Sequence, residues 1–117
     1  MNRYQDLRVY QKALDLVAAV YRVTASWPAD ERFGLTSQAR RAATSIVLNI
    51  AEGAGAGSDP EFSRFLRFSL RSKYELMAAF DIAVRISLTS EEEAAPIRAA
   101  AEEVASMLVG LMRSLQS

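Results

Sequence analysis

The chain has 117 residues, 14 Lys and Arg against 14 Asp and Glu, and neither His nor Cys. Lack of cysteine excludes disulfides, thiol nucleophiles and zinc–cysteine sites, and lack of histidine removes the commonest general base and transition-metal ligand. Half the residues are hydrophobic and 24% are charged, an ordinary globular composition, while zero net charge argues against a protein built mainly to neutralise phosphates. One domain over residues 1–117 is expected. The polar start Met1-Asn2-Arg3-Tyr4-Gln5-Asp6 has no apolar segment behind it. Neither a signal peptide nor a membrane span is expected, and a cytoplasmic location is.

Four segments carry helical periodicity. In the first, Leu7, Tyr10, Leu14, Val17, Tyr21 and Thr24 repeat at spacings 3-4-3-4-3, and a second stripe runs Val9, Ala13, Leu16, Val20. Two adjacent apolar stripes indicate a helix buried on a broad face, as in a bundle. Trp27-Pro28 ends it, because the residue before proline is pushed out of the α region. In the loop that follows, Phe33 and Leu35 are expected to tuck back on the bundle, and Thr36 or Ser37 to cap the second helix. That helix places Ala39, Ala43, Ile46, Ile50 and Gly53 on one face, with Arg41, Ser45, Leu48 and Glu52 opposite.

The run Gly53-Ala-Gly-Ala-Gly57 is expected to end the second helix, and Ser58-Asp59-Pro60-Glu61 to start a third with a capping box. The third helix is predicted over 59–88, burying Phe62, Phe65, Leu66, Ser69, Ser72, Leu76, Phe80, Ala83 and Val84. Ser90 and the acids after it start a fourth, in which Pro96 predicts a kink or a later regular start. Ile97, Ala101, Val104, Leu108, Leu111 and Leu115 continue its stripe, with Met77, Met107 and Met112 as core filler. The predicted fold is all-α, an antiparallel up-down-up-down four-helix bundle.

Several ordered motifs together resemble a known family: Asp6-Leu7-Arg8-Val9-Tyr10-Gln11-Lys12-Ala13, Phe33-Gly34-Leu35-Thr36-Ser37-Gln38, Arg40-Arg41-Ala42-Ala43, Ser45-Ile46, Asn49-Ile50-Ala51-Glu52-Gly53 and Glu61-Phe62-Ser63-Arg64-Phe65-Leu66. The set is similar to the four-helix-bundle proteins known as 23S ribosomal RNA intervening-sequence proteins, and it covers residues 6–88 by motif. The resemblance implies a small bacterial bundle that assembles as a homo-oligomer, typically a pentamer. Through relatives that serve as accessory factors of diversity-generating retroelements, it also implies nucleic acid or a reverse transcriptase as a partner. Two departures matter. Where members carry an arginine and basic residues after the Asn-Ile-Ala-Glu-Gly motif, this chain has Ala56, Asp59 and Pro60, which weakens any loop contact with phosphate. Where members have Gly-Ser in the third helix, it has Arg71-Ser72, which predicts altered packing there.

Arg40, Arg41, Arg64, Arg67, Arg71 and Lys73 form the one basic concentration, and Arg64, Arg67 and Arg71 share a helix face at i, i+3, i+7. They are candidate nucleic-acid contacts, against the ordinary alternative of a solvated face or ion-pair partners. Asn49 and Glu52 lie one turn apart. A lone carboxylate without a second fixed acid or a histidine makes a poor catalytic pair. The expected role for Asn49 and Glu52 is a buried or interfacial polar network, with Arg41 of a neighbouring chain or with free backbone N–H groups. Gly53-x-Gly55-x-Gly57 has neither the strand nor the lysine of a phosphate loop. Leu48 and Phe68, apolar at polar positions, are candidate oligomer contacts.

These features predict a non-enzymatic homo-oligomeric module without cofactor, metal, membrane or small-molecule substrate. The alternative is a nucleic-acid-binding accessory protein using a basic helix face. Neutrality conceals a segregation: residues 1–45 hold seven Lys and Arg and four acids, net +3, while residues 89–117 hold two arginines and five glutamates, net −3.

Overall fold

The first helix offers the core two apolar stripes, and the structure buries one. In a computed structural model that describes residues 4–116, α1 spans Arg8–Thr24 and turns Val9, Ala13, Leu16, Val20 and Thr24 inward. The other stripe is divided: Leu7, Tyr10 and Val17 pack against the core and Thr24 is buried, while Leu14 and Tyr21 are 38% and 42% exposed. Both stripes satisfy helical spacing, so the choice rests on which side chains the neighbouring helices fill.

Helix α2 spans Leu35–Ala54, α3 Asp59–Arg85 and α4 Glu91–Ser114, with short 3-10 turns at Tyr4–Asp6 and Ala29–Glu31. No strand occurs among the described residues. Contacts at nearly constant index sum fix the directions. Ser69 and Ser72 of α3 meet Ile46 and Ser45 of α2. Asp81 and Lys73 of α3 meet Arg98 and Glu102 of α4. Lys12 of α1 meets Glu103 of α4, while Leu7 and Leu111 share a pocket farther along the same helices. Each of these three pairs runs antiparallel, so α1 and α2 oppose as well, and the bundle is up-down-up-down.

The inward face of α2 follows the predicted pattern: Ala39, Ala43, Ile46 and Ile50 are fully buried. Its start does not. The N-cap is Gly34, without a side-chain bond, and Glu31 Oε1 instead accepts from the Leu35 N–H at 3.0 Å. Thr36 and Ser37 therefore sit inside the first turn rather than at its cap. Phe33 does not tuck back but stands 88% exposed, while Leu35 packs against the core. Trp27 is the buried aromatic of this segment, packed against Phe80 at a ring-centroid distance of 5.6 Å.

Gly53 lies within α2 rather than beyond it, and Gly57, at φ 90°, makes the left-handed turn. Ser58 Oγ accepts from the Glu61 N–H, and the Glu61 carboxylate pairs with Arg64. Helix α3 ends at Arg85, three residues earlier than predicted. There the Leu88 and Ser87 N–H groups donate to the Ala83 and Val84 carbonyls, with Ser87 at φ 65°. This is a Schellman turn made without glycine. Of the nine positions expected to be buried in α3, Phe62, Phe65 and Val84 are only half-buried. Arg71 does not disturb the packing, because it is exposed while its neighbour Ser72 makes the contact with α2. The chain continues through Pro96 as one helix from Glu91, and Pro96 lies at the surface, where water can serve the carbonyl left without a donor.

Ser90 caps α4 with a complete capping box: its hydroxyl accepts from Glu93 N–H and its own N–H donates to Glu93 Oε1, both at 3.0 Å. The Ser90 backbone N–H, then the Thr89 hydroxyl, hold the Glu93 carboxyl below the usual carboxylate range. A carboxylate with a lowered folded value stabilises above its unfolded value and loses that contribution as pH falls through the folded one. Acid unfolding followed by circular dichroism should therefore steepen below the ordinary glutamate range in the parent protein, and less so in Glu93→Gln. Equal slopes would contradict the cap's contribution.

Helices α2 and α3 are closely packed at Gly53. A Cβ there would lie 2.8 Å from Phe65 Cβ and 2.9 Å from Phe62 Cδ1. Gly53→Ala should lower stability in urea unfolding by about 1–3 kcal/mol, despite alanine's better helix propensity. An unchanged or raised midpoint would show that the helices can part without cost.

Candidate interaction surface

The outward face of α2 reads Ser37, Arg41, Thr44, Leu48 and Glu52 at spacings of three and four, one side of a helix. Small hydroxyl residues alternate with one aliphatic side chain and one charge of each sign. Leu48 is 58% exposed. Arg41 and Glu52 have no ion-pair or hydrogen-bond partner among the described residues.

On the α1 side, a groove of about 690 Å³ runs along this face, walled by Tyr21 and Phe33 and by Arg32, Arg40 and Arg41, with Glu52 as its one acid. On the α3 side, a second depression lies between Asn49 and Phe68, Arg71 and Glu75. The outward apolar residues extend both flanks. Leu14 precedes Tyr21 by two helical turns, and Ile82, half exposed, follows Glu75 by two turns. The outward stripe of α1 and exposed Phe33 were not singled out from sequence as surface features. A repeated apolar spacing marks a buried face without saying which partner buries it.

The predicted polar network divides. Asn49 Nδ2 donates to the Ser45 carbonyl and hydroxyl at 2.9 and 3.1 Å, and Ser72 Oγ donates to Ser45 Oγ at 2.9 Å. Within the chain the network is therefore Asn49–Ser45–Ser72, and Arg41 and Glu52 stand outside it. Ser45 was placed on the polar face by periodicity, but its link to α3 needs the two helices together.

The basic set divides as well. Arg40 donates from Nε to Thr24 Oγ1 at 2.9 Å and lies 4.4 Å from the centroid of the Tyr21 ring. Arg64, Arg67 and Arg71 share the outer side of α3. Arg64 pairs with Glu61 at 3.3 Å, and Arg64 and Arg71 both lie over Phe68, at 5.1 and 5.4 Å. Lys73 does not join them. It is 4% exposed and its ammonium meets Glu102 Oε2 of α4 at 2.8 Å. A cation held in the wall of the bundle by a carboxylate is unavailable to a phosphate backbone.

Among the described residues, no group of three or more Asp and Glu side chains is placed to hold a metal ion, and no helix is long and apolar enough to cross a membrane.

The family model described as 23S rRNA-intervening sequence protein matches residues 5–110. No curated protein matches the chain. Among solved structures, the fold is similar to a crystal structure at 1.70 Å of a protein with unknown function from the S23 ribosomal protein family of Bacteroides thetaiotaomicron. The TM-score is 0.83 at 22% identity, covering 90% of this chain and 95% of that one.

Proposed function

The chain belongs to the 23S rRNA-intervening sequence protein family, and on that footing we propose that it is a non-enzymatic, self-assembling four-helix module whose subunits meet across the outward face of α2. The observation that carries this reading is Leu48, exposed at the centre of a helix face with unpaired Arg41 on one side and unpaired Glu52 on the other. Arg41 and Glu52 are eleven residues apart, about 16 Å along the helix. Glu52 of one subunit can meet Arg41 of the next while Leu48 and Phe68 lose water between them. The hydroxyls of Thr44 and Ser37 leave room for close approach. The pentamer implied by the sequence resemblance is the assembled form we propose. The same face offers acid–base chemistry little, since Glu52 has no titratable partner poised beside it.

Light scattering at micromolar concentration should give a multiple of the 12.9 kDa chain mass, five for the pentamer. Leu48→Glu and Phe68→Glu should each bring the mass toward that of one chain with the helical spectrum intact. A monomer for the parent protein at all concentrations would defeat the reading.

Arg67 favours a second reading, because it projects without a partner between Arg64 and Arg71 on the outer side of α3. Such a stripe suits a nucleic-acid backbone and would make the protein an accessory factor. Structured RNA or single-stranded DNA should then bind with a steep salt dependence, lost when Arg64, Arg67 and Arg71 become Glu. No binding at low salt, where the phosphate attraction is greatest, would remove it.

A further inference from the structure

We propose that the outer side of α3 is the surface that covers α2 in the assembly, so that Arg41, Leu48 and Glu52 of one chain meet Glu75, Phe68 and Arg64 of the next. The pairing rests on self-assembly through α2 and names the second face that such assembly needs. Glu52 meeting Arg41 directly would set α2 against α2, a two-fold contact that closes after two chains. A ring of five needs two different faces on each chain.

Arg64, Phe68, Arg71 and Glu75 recur at spacings of four, three and four, so they share one side of α3. Arg64, Arg71 and Glu75 are exposed and Phe68 is half-buried. Glu75, like Arg41 and Glu52, has no ion-pair or hydrogen-bond partner among the described residues. Arg41 and Glu75 both border a depression beside Ser45 without joining across it. Arg64 pairs with Glu61 in an exposed contact that it can share.

The bonds between α2 and α3 set the height of each residue along the bundle. Ser72 donates to Ser45 at 2.9 Å. One turn from that bond toward the start of α2, Arg41 is level with Glu75. One turn the other way Leu48 is level with Phe68, and a turn beyond that Glu52 is level with Arg64. Neighbours in a cyclic ring whose axis runs along the bundle are related by rotation alone, so every residue keeps its height. When α3 of one chain lies along α2 of the next, the same levels meet across the contact. They match cation with acid, aliphatic with aromatic, and acid with cation.

Other registers do not match. A slip of one turn in one direction sets Arg41 against Arg71 and Glu52 against Glu61. The opposite slip sets Leu48 against Arg71 and Glu52 against Phe68. Facing like charges, or a charge pressed on an apolar side chain, disfavour both. The outer sides of α2 and α3 are neighbouring corners of the bundle and diverge by roughly a right angle, near the corner of a five-membered ring. The groove of about 690 Å³ beside Leu48 seats the incoming helix, and exposed Phe33 and Ile82 extend the apolar contact toward one end.

The chain has no cysteine, so one introduced thiol reports on the contact. Leu48→Cys and Phe68→Cys chains, co-expressed and treated with a short bifunctional thiol reagent, should give dimers in which residue 48 of one chain is joined to residue 68 of another. Leu48→Cys alone should give none. Arg41→Glu and Glu75→Arg should each weaken assembly about tenfold or more with the helical spectrum intact. An equal mixture of the two should recover most of it, because each chain supplies the sign that its neighbour lacks, whereas an ion pair within one chain cannot be repaired by mixing. A parent protein that is monomeric at every concentration removes self-assembly and this pairing with it. An assembled parent leaves self-assembly standing but overturns the pairing if Leu48→Cys joins to itself, if the mixed thiol variants do not join, or if mixing the charge variants recovers nothing.

Discussion

The close seam between α2 and α3 sets the position of everything on the outer surface. Alanines at 39, 42 and 43 and glycine at 53 bring the two backbones together, and α3 answers with serines rather than large aliphatics. Ser69, fully buried, donates to the Ile46 carbonyl at 2.9 Å, and Ser72 donates to Ser45 at the same distance. Each such bond contributes about 1 kcal/mol net, but a slip in register would strand a buried hydroxyl at a larger cost. The seam therefore specifies alignment more than it adds stability. By fixing the rotation of α2, it decides that Arg41, Leu48 and Glu52 face away from the core.

Charge is distributed under the same constraint. The acids of α4 are largely committed within the chain: Glu102 to Lys73, Glu103 to Lys12, Glu91 to Arg98 and Glu93 to its own cap. The basic beginning and acidic end of the sequence thus cancel partly through the contact of α1 and α4. Exposed pairs such as Lys12–Glu103 contribute little, about 0–1 kcal/mol. Lys73–Glu102 differs, because a lysine amine already enclosed by the bundle is costly to leave unpaired. None of these acids is paired with Arg32, Arg40 or Arg41.

Periodicity located the buried and outer faces of α2 correctly because alanine, isoleucine and glycine at three- and four-residue spacing fit only one packed side. It also found the inward stripe of α4. It read both stripes of α1 as one broad buried face, whereas Leu14 and Tyr21 of the outer stripe stand exposed, because spacing alone does not say how far the neighbouring helices reach. It placed Phe33 against the bundle on hydrophobicity alone, whereas Phe33 stands 88% exposed and Trp27 is the buried aromatic of that segment. Thr36 and Ser37 looked like caps because they carry hydroxyls. The cap position depends on where the helix begins, and Glu31, one turn earlier, takes that role. Lys73 was grouped with the arginines by proximity in sequence. Its burial depends on Glu102, on a different helix 29 residues later.

The outer face of α2 is concave for a physical reason. A helix whose inward side is made of small residues lies deep between its neighbours, and its outward side becomes the floor of grooves rather than a ridge. Side chains from α1 and α3 stand up on both sides as walls, Tyr21 on one and Phe68 on the other. Polar and charged groups on such a floor are partly desolvated before any partner arrives, so less hydration remains to be displaced on binding. Unpaired Arg41 and Glu52 lie on that floor, with the exposed rings of Tyr21 and Phe33 at its rim.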